Sequence, residues 1–369
     1  MIKEGQLGVF EATALIVILM SYKVLLSSPR QLIELTATAA WITSLVSCAV
    51  AVVGFVFIYL LLKRFPNKNI IEIFKEVYGR KIYFIPSILV YLLLIYNLSL
   101  ILREFAETLK SYILPLTPIP FVLLVILLSV IFVSILGLEV IARMASITTP
   151  PLLLGYFLIL ILSINKYSFY NITPLLGTGI GMILKHGMLR SSIYGDVFIL
   201  TIIATSMQGV SHIKKAGFIG LPIAGVLVSI GILCFNLANP YQTASESLSP
   251  IIQLARDIEY GRFVQRLDPL SGFLWVLASL IVLTTIFFAA LKVYCELFEI
   301  KNHKPLTFSL GLIIFCLSYL PLNISQVIIG QILIIREFSW IIYFILPLMT
   351  LMIAVIRGKK GVVKNAPQS

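Results

Sequence analysis

Apolar residues come in long runs along this chain. The runs show neither the strict alternation of half-buried strands nor the one-sided stripe of a helix on a soluble core. A bilayer core about 30 Å thick needs roughly 20 such residues as helix. The runs meeting that demand are Val9–Leu26, Thr38–Leu62, Ile82–Leu102, Ile119–Leu138, Ile147–Ile164, Val197–Val210 with the segment before it, Ala216–Ala238, Leu270–Leu291, Leu306–Leu322 and Ser339–Ile356. The pattern predicts an all-α membrane protein with ten transmembrane helices, one integral membrane domain over 1–369. The short alternating segments of a membrane β-barrel are not seen. The ninth run is short, and polar residues interrupt the first and the sixth.

An even number of spans places both termini on one face, and the loops then sort by charge. The terminal face takes the N-terminus with Lys3, the 63–81 loop, Arg143, Lys214, Lys215, the 292–304 loop, and a tail with Arg357, Lys359, Lys360 and Lys364. It thereby holds the larger share of the 28 lysines and arginines. The other face holds Arg30, Arg103, Lys110, Lys166, Lys185, Arg190, Arg256, Arg262, Arg266 and Arg336, while Lys23 lies inside the first span. The excess of cations predicts that both termini are cytoplasmic.

Composition narrows the function classes. The chain is 59% apolar and 12% charged, with a mean hydropathy of +1.04; soluble domains are roughly 45–50% apolar and about 25% charged, which excludes a water-soluble enzyme. The first run has no small-residue cleavage site behind it and reads as a span, not a signal peptide. The net charge of +12 is largely the topology-setting loop cations meeting anionic lipid, and no soluble domain is available to present a nucleic-acid-binding face. Cys48, Cys234, Cys295 and Cys316 read as small thiols in or beside apolar runs, and three scattered histidines add no metal pattern. No nucleophile with its base, phosphate loop or cofactor motif appears, so the expectation is a non-enzyme without cofactor.

Three segments outside the runs carry pattern. Asn69–Tyr78 puts Ile70, Ile71, Ile73, Phe74, Val77 and Tyr78 on one helical face, opposite Glu72, Lys75 and Glu76; this predicts a helix lying on the cytoplasmic headgroups. Asn239–Asp268 is the longest external loop. Its weakly amphipathic Ser249–Ile258 reads as a lid or as a docking surface. The 165–195 segment concentrates Gly177, Gly179, Gly181, Gly187 and Gly195, which permits irregular backbone near a span.

Polar groups inside hydrocarbon must be paired or face a cavity, so they carry the functional signal. The first span breaks at Ser21-Tyr22-Lys23 and the sixth, five spans later, at Arg190–Asp196. Interrupted segments at matching positions of two halves point to a transporter-type site built from inverted repeats. In the sixth, Ile180–Leu189 reads as a half-helix, Ser191–Gly195 as an unwound joint and Asp196–Val210 as a second half. Free amides and a positive helix end there suit a ligand carboxylate. Ser192 and Tyr194 add hydroxyls, and Asp196 either attracts an ammonium group or merely occupies a first helical turn. Lys23 reads as a snorkelling side chain, a buried base, or a fixed charge in place of a coupling cation. Glu11 reads as a first-turn acid. On the third span Tyr91, Tyr96, Asn97 and Ser99 are polar, with Tyr96 and Leu100 on one face; on the eighth, Thr284, Thr285 and Phe288 lie near the midplane. Each of these, taken singly, reads first as a helix-packing group. Arg103/Glu107 and Glu139/Arg143, each at i, i+4, read as interfacial salt bridges that hold helix ends.

Several short stretches, in order along the chain, resemble the B-subunit family of spore germinant receptors. They are Leu102-Arg103-Glu104-Phe105-Ala106-Glu107, Gly137-Leu138-Glu139-Val140-Ile141-Ala142-Arg143 and Pro174-Leu175-Leu176-Gly177-Thr178-Gly179. Tyr194-Gly195-Asp196-Val197-Phe198, Ala255-Arg256-Asp257-Ile258-Glu259 and Gln265-Arg266-Leu267-Asp268-Pro269-Leu270, followed by the Trp275 span, complete the set. The resemblance implies a fold of the amino acid–polyamine–organocation type, five helices over 1–164 and an inverted five, with a basic cytoplasmic tail, over 165–369. It implies a small-ligand pocket between the broken first and sixth helices, flanked by the third and eighth. The ligand-binding set is then Ser21, Tyr22, Lys23, Tyr96, Leu100, Ser192, Tyr194, Gly195, Asp196, Thr284, Thr285 and Phe288. It also implies a germinant, typically an amino acid, sensed in the spore inner membrane together with A and C receptor subunits. The alternative is a proton- or sodium-coupled amino acid permease. The chain departs from the family in carrying Ser21-Tyr22-Lys23 where a glycine is usual and Asp196 where Glu is frequent.

Overall fold

The computed structural model describes residues 6–247, 249–260, 264–265, 267–301 and 303–361. Lys3, Arg262, Arg266 and Lys364, counted above among the loop cations, lie outside the described residues, as does the end of the basic tail. The first helix is split into α1 (Val9–Ser21) and α2 (Ser28–Thr36), followed by α3 (Ala40–Arg64), α4 (Ile70–Tyr78), α5 (Phe84–Tyr112), α6 (Ile119–Leu136) and α7 (Leu138–Leu162). Then come α8 (Ile180–Leu189), α9 (Ile199–Ile202), α10 (Val210–Ala238), α11 (Tyr241–Ala244), α12 (Pro250–Arg256), α13 (Asp268–Leu297) and α14 (Lys304–Tyr319). The last helix runs as α15 (Ile324–Gly330), α16 (Glu337–Trp340) and α17 (Leu346–Ile356), joined by π-turns at Gln331–Arg336 and Ile341–Ile345. A two-residue ladder pairs Glu259–Tyr260 with Val264–Gln265.

Among the described residues, seven helices are long and apolar enough to cross a membrane, and Lys304–Tyr319 is a shorter apolar helix. The two interrupted segments fall short of that length because each is split. Apolar side chains on α6 such as Phe121, Val125 and Phe132 point outward, while α1 is buried almost all round, so α1 is a central helix and α6 a peripheral one. Close approach of α10 to α3 and α1 depends on missing side chains: a Cβ at Gly217 would meet the Phe55 ring at 2.0 Å, and one at Gly220 would meet Ile16 at 2.8 Å.

Both described ends lie on one face. Leu7 N–H donates to Ser206 O (2.8 Å), Gly361 N–H to Arg64 O (3.1 Å), and Arg64 Nε to Lys359 O (2.7 Å). The amphipathic helix α4 belongs to this face, but its apolar side chains do not lie on headgroups. Ile70, Ile73, Phe74 and Val77 are fully buried in the protein, and α4 packs against α5, α9, α13 and α17. An Asn69/Glu72 capping box starts it, and Tyr78 Oη meets Thr350 Oγ1 at 2.9 Å. The amphipathic pattern was legible; whether lipid or protein covers it depended on where the other helices lie.

The boundaries differ from the sequence reading in three places. Ser28–Thr36 is polar and its pattern reads as lying outside the spans, yet Ser28 and Gln31 are buried by the surrounding helices. The second half of the sixth segment is not one continuous α-helix from 196 to 210: it is 3-10 helix to Phe198, one α-turn over Ile199–Ile202 and a 3-10 turn over Ala204–Ser206. The last helix begins at Ile324 and not at Ser339, because Arg336 and Glu337, which read as loop residues, are inside it.

Candidate functional site

The first break follows from Ser27-Ser28-Pro29. Proline has no N–H and its ring crowds the carbonyl four residues back, so continuous helix through Leu25 is not available, while Pro29 is well suited to the first turn of α2. Tyr22–Leu25 tightens to 3-10 helix and Leu26 is extended, with φ −109° and ψ −164°. The backbone groups this frees find side-chain partners from far away. Ser27 N–H donates to Glu104 Oε1 (2.8 Å), and Leu25 O accepts from Ser249 Oγ (2.6 Å). Glu104, on α5, thus places an acid at the positive end of α2. Ser249 immediately precedes α12, and α12 packs against the first break.

The second joint, Arg190–Phe198, is buried throughout. Tyr194 Oη meets Ser44 Oγ on α3 at 2.8 Å, and Ser192 Oγ donates to Arg336 O at 2.9 Å. Gly195 has no positive φ; its role is space, since a Cβ would stand 2.0 Å from Cδ2 of Tyr343. The two π-turns of the last helix aim residues at both joints. Arg336 accepts from Ser192 through its carbonyl and donates from Nη2 to Ser28 Oγ at 3.1 Å, and Tyr343 covers Gly195.

Lys23 joins the two breaks. Its Nζ lies 2.7 Å from Asp196 Oδ2 and also donates to Ile193 O, and both side chains are almost wholly buried. The Tyr22 and Tyr343 phenols are within electrostatic reach of Asp196 and Arg336, and Tyr22 also of Glu104. In the two breaks and on the last helix, Ser21 Oγ, Tyr22 Oη, Ser191 Oγ and Tyr343 Oη are buried with no protein hydrogen-bond partner. Beside the first break a cavity of about 30 Å³ is lined by Ser21, Val24, Leu25, Tyr156, Trp275 and, from α12, Ile251, among others.

Of the residues singled out from sequence, Lys23, Ser192, Tyr194, Gly195 and Asp196 converge here, with Ser21 and Tyr22 buried in the first break. Lys23 does not snorkel to an interface, and it is paired. Tyr96 and Leu100 face the last helix, where a Cβ on Gly330 would lie 3.0 Å from Tyr96 Oη. Thr284 and Thr285 return their hydroxyls to Leu280 O and Ile281 O of their own helix (both 2.7 Å), and Phe288 is buried on the same helix. α13 itself packs against the first break and α9. Arg103 pairs with Glu107 (2.8 Å) and also reaches Ser318 O (3.3 Å). Glu104, Ser249 and Arg336 were missed as site residues. The Ser-Ser-Pro start signal of α2 was available to locate the break, whereas nothing in the order of residues brings positions 104, 249 and 336 together.

The chain is similar to known proteins over most of its length. A family model described as spore germination protein matches residues 6–327. Spore germination protein KB of Bacillus subtilis (strain 168) is 26% identical over 284 residues, 76% of each chain. Spore germination protein YndE of the same organism is 23% identical over 349 residues, 93% of this chain and 95% of that one. Spore germination protein XB of Bacillus anthracis is 19% identical over 288 residues, 78% and 79% of the two chains. Among solved structures, Mhp1, a nucleobase-cation-symport-1 family transporter in a closed conformation with bromovinylhydantoin bound, superposes with a TM-score of 0.65. That match has 12% identity and covers 89% of this chain and 75% of that one. MhsT in complex with L-phenylalanine superposes with a TM-score of 0.59 at 15% identity, over 95% of this chain and 89% of the other. At these identities the likeness carries the fold alone: an all-helical architecture shared with transporters. With the family model spanning nearly the whole chain, the protein belongs to the spore germination protein family, a membrane family with a transporter-like fold.

Proposed function

We propose that the chain is the germinant-sensing membrane subunit of a spore germination receptor, binding a small zwitterion, of the amino acid class, where the first and sixth helices break. The observation that carries this is the buried Lys23–Asp196 pair linking both breaks, with the Tyr22 and Tyr343 phenols in electrostatic reach of Asp196 and their hydroxyls unpartnered. Buried polar groups without partners are rare in folded proteins. Here they offer donors to a ligand carboxylate beside the Lys23 ammonium. Ten spans as two inverted five-helix repeats, 1–164 and 165–369, underlie the reading, with the flanking residues Tyr96, Leu100, Thr284, Thr285 and Phe288 becoming ligand contacts once the joint opens. The cation excess on the terminus-bearing face orients that face to the cytoplasm of the spore core, across the inner membrane. Partner A and C subunits read the change of state, which requires the ligand to bind one state more tightly than the other.

The test is binding of amino acids to the full-length protein in nanodiscs, alone and with its partner subunits. Saturable binding lost in Asp196→Ala and in Gly195→Trp supports the site, and wild-type affinity in both variants removes it. Likeness to two transporters favours a second reading, an amino acid permease. Proteoliposome uptake separates the two: a sensor accumulates nothing under a proton or sodium gradient, and a permease does.

A further inference from the structure

Asp196 Oδ2 and Ile193 O present two hard oxygens toward one point, from a helix break inside an apolar bundle. A carboxylate with a backbone carbonyl is the donor set of an alkali-cation site, and such breaks are where transporter folds hold coupling ions. In this chain the point is taken by Nζ of Lys23, contributed by the other break. We infer that the Lys23 ammonium is a built-in cation standing in a sodium seat, so that the joint binds no exchangeable alkali cation unless the lysine is removed. The geometry supplies three reasons. Nζ lies at ion-pair distance from the carboxylate and also bonds the carbonyl, so it occupies the point at which both oxygens aim. The lysine side chain is almost wholly buried, so it cannot swing to water without opening the bundle. The other charges at the joint balance in sign, Arg336 against Glu104 and Arg190 of the joint against Glu337 at 3.5 Å, so a further cation would be uncompensated beside Lys23. The inference concerns the same joint as the receptor reading but not its organic ligand, and it applies to a receptor or a permease alike.

The experiment is thermal unfolding of the purified full-length protein, without amino acids, in choline chloride, KCl or NaCl at equal ionic strength. A ligand that binds the folded state raises the melting temperature with saturation. The expected result is one melting temperature for the wild type in all three salts, and for Lys23→Met a saturable rise of several degrees in NaCl that disappears in Lys23→Met/Asp196→Asn. A saturable, sodium-specific rise in the wild type overturns the inference, and so does indifference of Lys23→Met to both alkali salts. Should Lys23→Met not survive in choline, Lys23→Ala purified in NaCl is exchanged into choline: unfolding on exchange supports the inference, and an unchanged melting temperature refutes it. Because no germinant is present, these outcomes are independent of whether amino acids bind.

Discussion

Removing one partner of the Lys23–Asp196 pair is the most informative perturbation of this fold. At 2.7 Å and an effective dielectric constant of about 20, the attraction is about 6 kcal/mol. Most of that offsets the cost of taking both charges out of water, so the pair adds little net stability. The single variants are a different matter, since each leaves one buried charge uncompensated. Lys23→Met strands a carboxylate and Asp196→Asn strands an ammonium, and each loss is expected to cost roughly 3–5 kcal/mol. Lys23→Met/Asp196→Asn removes both charges at similar volume and should recover most of the loss, a coupling energy on the order of 5 kcal/mol or more. The assay is reversible unfolding of the three variants and wild type by denaturing detergent, in choline chloride so that no alkali cation replaces the lysine. Single variants within about 1 kcal/mol of wild type, or a double variant no more stable than the worse single, would show that the two breaks are not joined by this pair.

Four further outcomes follow from the same contacts. Gly195→Ala presses a methyl onto the Tyr343 ring and should cost roughly 1–3 kcal/mol by overpacking, with the loss relieved in Gly195→Ala/Tyr343→Leu; equal loss in the double variant argues against the contact. Ser249→Ala leaves the Leu25 carbonyl without its donor and should cost about 1–3 kcal/mol, while Ser249→Thr keeps the bond; faster amide exchange at 22–28 in the alanine variant alone is the check. Pro29→Ala restores the N–H that helix continuity requires, so amide protection across Leu25–Pro29 should rise; unchanged protection would mean that other contacts make the break. On the terminus-bearing face, the hydrogen bond and charge of Lys75 hold the exposed Glu299 carboxyl below its ordinary value. Folding therefore favours the ionised form, and the contribution of this pair is present above the ordinary carboxylate pKa and lost as pH falls through the lowered one. A ¹³C-carboxyl titration should show Glu299 moving back up in Lys75→Gln, and no movement would mean that the pair is not formed in solution.

Hydrophobicity by itself determined that this chain belongs in a membrane as a helical bundle, because runs of this length admit no other way of satisfying their backbone in hydrocarbon. It also located Ile180–Leu189 and an irregular joint after it, since an Arg-Ser-Ser start and a Tyr-Gly-Asp end are local signals against continuous helix. Ser28–Thr36 escaped that reading, and so did the first half of the last helix. Their polar residues look solvated until the neighbours that bury Gln31 and Arg336 are in place. The apolar face of α4 was visible as a face, but its partner was not: hydropathy does not distinguish lipid from protein, and the packed bundle assigned it to protein. The Lys23–Asp196 contact and the reach of Glu104, Ser249 and Arg336 to the breaks were decided only by tertiary structure. A charge in hydrocarbon announces that it needs a partner, but which of the distant charges answers depends on how the helices pack, and periodicity along one helix carries no information about that.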